Sequence, residues 1–161
     1  MTDFLHLVKR FWDVTLAARL SPREQAEVAE LLNPGEETNL FWDQPPSDQR
    51  HGLVAAREVK AAHPQRDDLA RSALLHDIGK RHARLGPIGR SLATLLGQFG
   101  WTPSTRYATY LDHGPIAARE LEEAGVEPLV VEYARHHHGE RPNLISPEDW
   151  ELLQTADRAS S

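Results

Sequence analysis

Apolar residues recur at three- and four-residue steps through nearly the whole chain, and nowhere do they alternate long enough to make a strand. That property restricts the fold to helices packed on helices, because a 3.6-residue stripe buries itself against another such face. Phe4, Leu7, Val8, Phe11, Trp12 and Thr15 mark one face of a first helix. Ser21-Pro22, a capping residue before a proline at the first helical position, opens a second helix, which stops at Asn33-Pro34-Gly35. The pattern then predicts an ordered loop from Glu36 to Pro46, anchored by Leu40, Phe41 and Trp42. Further helices are expected from Ser47 to Ala62, from Asp67 or Asp68 through Lys80, from Pro87 to Phe99, from Gly114 to Ala124, from Glu127 to His137, and after the Ser146-Pro147-Glu148-Asp149 cap. No repeat, low-complexity tract or linker interrupts them. The 161 residues are therefore expected to form one all-α domain, with residues 1–46 packed onto a core of 47–160.

Composition removes several kinds of chemistry. A formal net charge of −6 argues against general affinity for nucleic acid or an anionic membrane, since neutralising phosphates needs clustered Lys and Arg. The absence of cysteine excludes disulfide scaffolds, zinc-thiolate sites and thiol catalysis together. No serine sits in a glycine-flanked elbow of the kind a nucleophilic hydrolase uses. Asp3, Lys9, Arg10 and Asp13 interrupt the N-terminal apolar residues, so no secretory core is expected there, and no run reaches the length of a membrane span. A cytoplasmic protein is the expectation.

The informative residues are polar ones on apolar stripes. His51 heads the stripe Val54, Ala55, Val59, Ala62. Ala70, Ala73 and Leu74 lead to Asp77 and Ile78, with His76 beside them. His113 precedes Ile116, Ala117 and Leu121; Val130 and Ala134 continue to His137 and His138; Leu152, Leu153 and Ala156 lead to Asp157. By contrast His6, His63 and His82 share faces with charged residues or sit at helix ends. Any one inward histidine could be a core imidazole bonded to a backbone carbonyl. Several imidazoles and two carboxylates on the inner faces of five helices would leave too many polar atoms without partners, so together they predict a metal. Nitrogen and oxygen donors suit Mn, Fe, Ni, Co or Zn, with Mg possible.

His51, then His76-Asp77 inside LLHDIGK, then Asp157 inside LLQTADR, resembles the HD superfamily of metal-dependent phosphohydrolases over about Ser47 to Ser160. The resemblance implies a helical bundle in which His51, His76, Asp77 and Asp157 hold one divalent ion. His113 in YLDHGPIAAREL and the run His136-His137-His138 are similar to places where binuclear members carry two more histidines. A second ion is thus expected on Asp77, His113 and His137, with His138 competing for the place of His137 and Asp77 as the bridging, catalytic carboxylate. The strings look most like HD-type hydrolases of diadenosine tetraphosphate. They also look in part like HD-GYP phosphodiesterases, but Arg141-Pro142-Asn143 stands where the glycine-tyrosine-proline signature belongs.

What this implies is hydrolysis of a phosphoester or phosphoanhydride in a small nucleotide-like substrate, by water that two ions convert to hydroxide. Lys80, one helical turn past Asp77, is expected to contact the phosphate and assist catalysis. Arg81 and Arg135 are further candidates for substrate binding, each with a competing role: a solvated helix end for Arg81, a salt bridge to a nearby glutamate for Arg135. Leu40, Phe41, Trp42, Trp101 and Tyr107 read as packing rather than a base-stacking platform. The alternatives are a non-hydrolytic module sensing metal or nucleotide, and a single ion with His113 and His137 left for substrate. The Trp-bearing first helix would serve a homodimer as readily as its own core.

Overall fold

The computed structural model describes residues 19–85 and 104–160, with positions 89, 92, 93, 95, 96 and 101 between them. The helix predicted over 4–15, most of that over 87–99, His6 and the Trp12 face proposed for a dimer lie outside the described residues. Among the described residues the structure is all helical, with eight α-helices, one 3-10 helix and no strand. None of these helices is long and apolar enough to cross a membrane.

The first helix, α1 (Pro22–Leu31), starts where its cap predicts: Ser21 accepts from the Glu24 amide and the Glu24 carboxylate accepts from the Ser21 amide. The predicted loop after it is instead a short helix, α2 (Glu36–Trp42). Gly35, at φ 119°, turns the chain into it. Leu40 and Phe41 are buried, and Glu37 pairs with Arg71 at 2.7 Å, so tertiary contacts hold a segment too short to show a stripe. α3 (Pro46–Ala62) and α4 (Asp67–Leu75) follow, packed on each other.

The helix predicted to run through Lys80 ends earlier. α4 stops at Leu75, His76 and Asp77 form the junction, and the chain tightens into a 3-10 helix (Ile78–Ala83). Thr105–Leu111 forms α5, which buries no side chain and so leaves no stripe to read. α6 (His113–Glu123), α7 (Pro128–His136) and α8 (Pro147–Ala159) complete the chain.

The helix pairs α6 with α7, α4 with α7, and α8 with α3 enclose the core, while α5 and α6 cover the 3-10 helix. Leu53, Leu69, Leu74, Leu75, Ile78, Leu121, Tyr133, Ile145 and Leu153 are all but inaccessible. Phe41 packs edge-on to Trp42, in keeping with the packing role expected of them. Trp101 departs from that expectation: it is 63% exposed. Two glycines set the spacing of the helices around the site. A Cβ on Gly79 would stand 2.1 Å from the His113 carbonyl oxygen, and one on Gly114 would stand 2.8 Å from the Ala134 carbonyl oxygen. The backbones of the 3-10 helix, α6 and α7 therefore touch beside the inward histidines.

Candidate metal centre

Three of the inward histidines are built by one local rule. His76 is the C-cap of α4, His137 is the C-cap of α7, and His113 stands just past α5 as the first residue of α6. In each, ring Nδ1 lies against the carbonyl oxygen three residues back: Ala73 at 2.9 Å, Ala134 at 2.8 Å and Tyr110 at 2.6 Å. The last carbonyls of a helix have no intrahelical partner, so an imidazole N–H there satisfies one of them. Donating from Nδ1 also aims Nε2 away from the helix and toward whatever lies at the centre. His51, inside α3, reaches the same state differently, with Nδ1 3.0 Å from Ser160 Oγ and 3.2 Å from the Ser160 carbonyl oxygen.

The four Nε2 atoms converge on Asp77, and the two carboxylate oxygens divide them. Oδ2 lies 3.4 Å from His51 and 3.4 Å from His76, while Oδ1 lies 3.1 Å from His113 and 3.5 Å from His137. Asp157 joins the first pair, its Oδ1 3.0 Å from His51 and 3.3 Å from His76. On the other side His113 and His137 bring their Nε2 atoms within 3.1 Å of each other, and His138 packs its ring 4.0 Å from that of His137. His51, His76 and Asp77 thus form one group able to hold a metal ion, and His113, His137 and His138 a second. All seven residues expected to be ligands are in or beside this cluster, whereas His63 and His82 are exposed.

The donors are arranged as lone pairs facing lone pairs. With Nδ1 committed as donor, a neutral His51 or His76 presents an acceptor to a carboxylate, and His51 Nε2, His76 Nε2 and Asp77 Oδ1 are buried with no hydrogen bond. Such a set needs positive charge inside it. Burial would lower His76, but Asp77 and Asp157 outweigh it and raise the imidazole, so a proton can supply that charge, and a divalent cation would supply it in the proton's place. The charge state of the groups follows. Burial would raise Asp77, but His76, Lys80, His113 and His137 outweigh it and hold the carboxyl well below its ordinary range. Asp157 is likewise depressed, burial being overcome by His51 and His76. Burial lowers His137 to about 4, so its imidazole is neutral and able to ligate at neutral pH.

Lys80 sits on the 3-10 helix and its Nζ contacts Asp77 Oδ2. Burial alone would lower it, yet Asp77, Tyr110 and Asp48 keep it a cation at the edge of the cluster. The two arginines are committed elsewhere. Arg81 forms a two-pronged pair with Glu120 at 2.8 and 2.9 Å, and Arg135 pairs with Glu122 at 2.6 Å and with Glu132 at 3.2 Å. Arg81 also lines, with Asp43, His82 and Arg84, an open cavity of about 550 Å³ to which none of the seven candidate ligands contributes. That cavity has the volume of a ligand site but not the chemistry, which lies in the histidine cluster.

Sequence reasoning misses the residues that hold the ligands in place. Ser160 orients His51, and Gln154 of α8 donates to the His137 carbonyl oxygen at 2.7 Å, tying the helix that carries Asp157 to the end of α7. Asp48 is buried one turn before His51, on the same face of α3. The only signal for Gln154 is its position three residues before Asp157; the serine carries none. No protein-family model, curated protein or solved structure matches the chain.

Proposed function

We propose that this chain is a metal-dependent phosphohydrolase of the HD type, with two divalent transition-metal ions per chain and a small phosphate-bearing substrate, a nucleotide by resemblance. One observation carries the reading: each oxygen of the buried Asp77 faces a different set of imidazoles, as a bridging carboxylate would. His51, His76, Asp77 and Asp157 would hold one ion, and Asp77, His113 and His137 the other, with His138 beside it. Bound there, the ions would supply Lewis-acid charge and lower the pKa of water enough for attack on phosphorus.

The chain's own groups do the remainder. The Nδ1 donors fix four imidazoles in the ligating tautomer, so little reorganisation is needed when charge develops. Lys80, held charged beside Asp77, is one side chain away from a phosphoryl oxygen at the cluster and would neutralise it. Arg81 and Arg135 are left out of substrate binding, since both are paired with glutamates.

The test is metal content by mass spectrometry on untagged protein, beside Asp77→Ala, with manganese-supplemented hydrolysis of bis(p-nitrophenyl) phosphate. About two ions per chain, lost together with turnover in the variant, is the expected result. Metal without turnover on that ester or on a nucleotide panel would assign the cluster to sensing. Failure to take up metal after reconstitution would remove the reading altogether.

A further inference from the structure

The four imidazoles of the cluster with a committed Nδ1 are not held alike. His76, His113 and His137 each bond a carbonyl oxygen three residues back, so neighbouring backbone sets them. His51 depends on another helix. Both oxygens facing its Nδ1 belong to Ser160, Oγ at 3.0 Å and the carbonyl oxygen at 3.2 Å. Ser160 is the C-cap of α8, 109 positions away along the chain.

One hydroxyl serves two candidate ligands there. Ser160 Oγ donates to the Asp157 carbonyl oxygen at 2.8 Å, and the Ser160 amide donates to the Ala156 carbonyl oxygen at 3.2 Å. Both acceptors belong to the last turn of α8, where helical carbonyls run out of partners. A hydroxyl carries a single proton, so with that proton on the Asp157 carbonyl, Oγ can only accept from His51. The Ser160 carbonyl oxygen likewise only accepts. Nδ1 of His51 therefore carries the hydrogen, and the lone pair of Nε2 faces Asp157 Oδ1 at 3.0 Å and Asp77 Oδ2 at 3.4 Å. The same serine thus closes the turn that carries Asp157 and fixes the tautomer of His51. It does so at a helix end, where a fold opens most readily.

We propose that the last turn of α8 controls the first ion through Ser160. With the turn folded, His51 and Asp157 are set together and the ion on His51, His76 and Asp157 is held; with the turn open, both are released and the ion on the His113 and His137 side remains. The inference rests on the two-ion reading and deepens it, because it makes the ions unequal. The second site does not draw on that turn. His113 and His137 are set by Tyr110 and Ala134, and Gln154, which donates to the His137 carbonyl oxygen at 2.7 Å, lies more than a turn earlier in α8. Ser160 is accordingly a positioning residue, and whatever unwinds its turn empties one site and spares the other. Coupling is reciprocal, so the first ion must also hold the turn closed.

Titration calorimetry of the full-length protein with Mn(II) tests this on Ser160→Ala, Ser160→Thr and Ser146→Ala. Ser160→Ala should raise the Kd of one of the two ions about tenfold, the usual scale for losing a group that orients a ligand, and leave the other as in the wild type. Ser160→Thr keeps the hydroxyl and should restore both. Co(II) absorption bands should shift in the alanine variant and return in the threonine one. Ser146 caps the opposite end of α8, accepting from the Asp149 amide at 3.1 Å. Ser146→Ala should therefore lower the melting temperature and leave both Kd values unchanged. Amide exchange read by mass spectrometry should slow in the last turn of α8 when Mn(II) is added to the wild type. Weakening of both ions alike in Ser160→Ala, or of neither, would overturn the proposal. So would a loss of affinity in Ser146→Ala as large as that in Ser160→Ala, or exchange in the turn that ignores saturating Mn(II). A wild type that takes up fewer than two ions would instead refute the two-ion reading, and the proposal with it.

Discussion

His76 is 1% exposed, at a position where a leucine would contribute about 1.5–3 kcal/mol by burial. The chain forgoes that stabilisation for an imidazole whose two nitrogens are both assigned, one to Ala73 and one to the centre. The same reasoning made His51, Asp77, His113, His137 and Asp157 legible: each continues an apolar stripe, and a polar residue there needs a reason. Tyr133 escapes such reasoning, because an aromatic on a stripe reads as core and only the tertiary structure shows its hydroxyl buried without a hydrogen-bond partner. Charge away from the site can be tested at the same scale. Glu24 is lowered from 4.5 to about 2, first by its hydrogen bond to Arg50 and then by Ser21. A carboxyl depressed in the folded state stabilises it fully above the unfolded pKa, and that contribution is lost as pH falls from about 4.5 toward 2. Glu24→Gln should therefore cost about 1–2 kcal/mol near neutral pH and almost nothing near pH 2. Urea midpoints of both proteins across that range measure it; parallel curves would show that the Glu24 carboxylate contributes nothing.

At the scale of elements, the helix ends make the site. α4 and α7 stop at a histidine that caps its own last turn, and another just past α5 caps that helix, so where each helix ends decides where each ligand points. The predicted continuous helix through Lys80 is wrong for this reason: Gly79 must meet the backbone of α6, and the chain leaves α geometry at Asp77 to do so. Gly79→Ala would place a methyl group 2.1 Å from the His113 carbonyl oxygen, backbone that cannot swing aside. We expect a loss of about 1–3 kcal/mol, with weaker metal binding because His113 must move. Thermal unfolding and metal titration of the variant check both parts. Gln154→Ala should leave α8 formed yet release the His137 carbonyl oxygen, lowering affinity for the ion on the His113 and His137 side about tenfold, while the ion on His51, His76 and Asp157 is retained. Stoichiometry by titration calorimetry distinguishes this from a uniform loss. α2 and α5 mark the limits of reading such elements: one is held by Arg71 pairing with Glu37, the other buries nothing, and neither carries a 3.6-residue stripe.

For the whole molecule, five segments far apart in the chain deliver residues to one cluster, so a cation bound there would cross-link most of the bundle. Ligands that bind only the folded state stabilise it by mass action, about 2.7 kcal/mol at a hundred times Kd. For a chain of this size that is a rise of roughly 5–11 °C in Tm. Calorimetry with Mn(II), then with excess chelator, should show that rise and its reversal; a Tm indifferent to both would mean that the cluster is purely structural. Arg71 is a second tie at this scale, a largely buried cation joining α4 to Glu37 of α2 and to Glu127 at the start of α7. Removing one partner of a buried pair is more costly than the pair is worth, so Arg71→Ala should lose about 3–5 kcal/mol in a denaturant titration without changing metal stoichiometry.

The helical class, the inward histidines and aspartates, and the exclusion of thiol chemistry follow from the sequence alone, because period, polarity and the absence of a residue type are local properties of a chain. Which oxygen of Asp77 faces which imidazole, which nitrogen of each ring is committed to a carbonyl, and that Arg81 and Arg135 are held by glutamates are decided by tertiary structure. Those depend on distances between residues tens of positions apart, and on where each helix stops, which packing settles and periodicity does not.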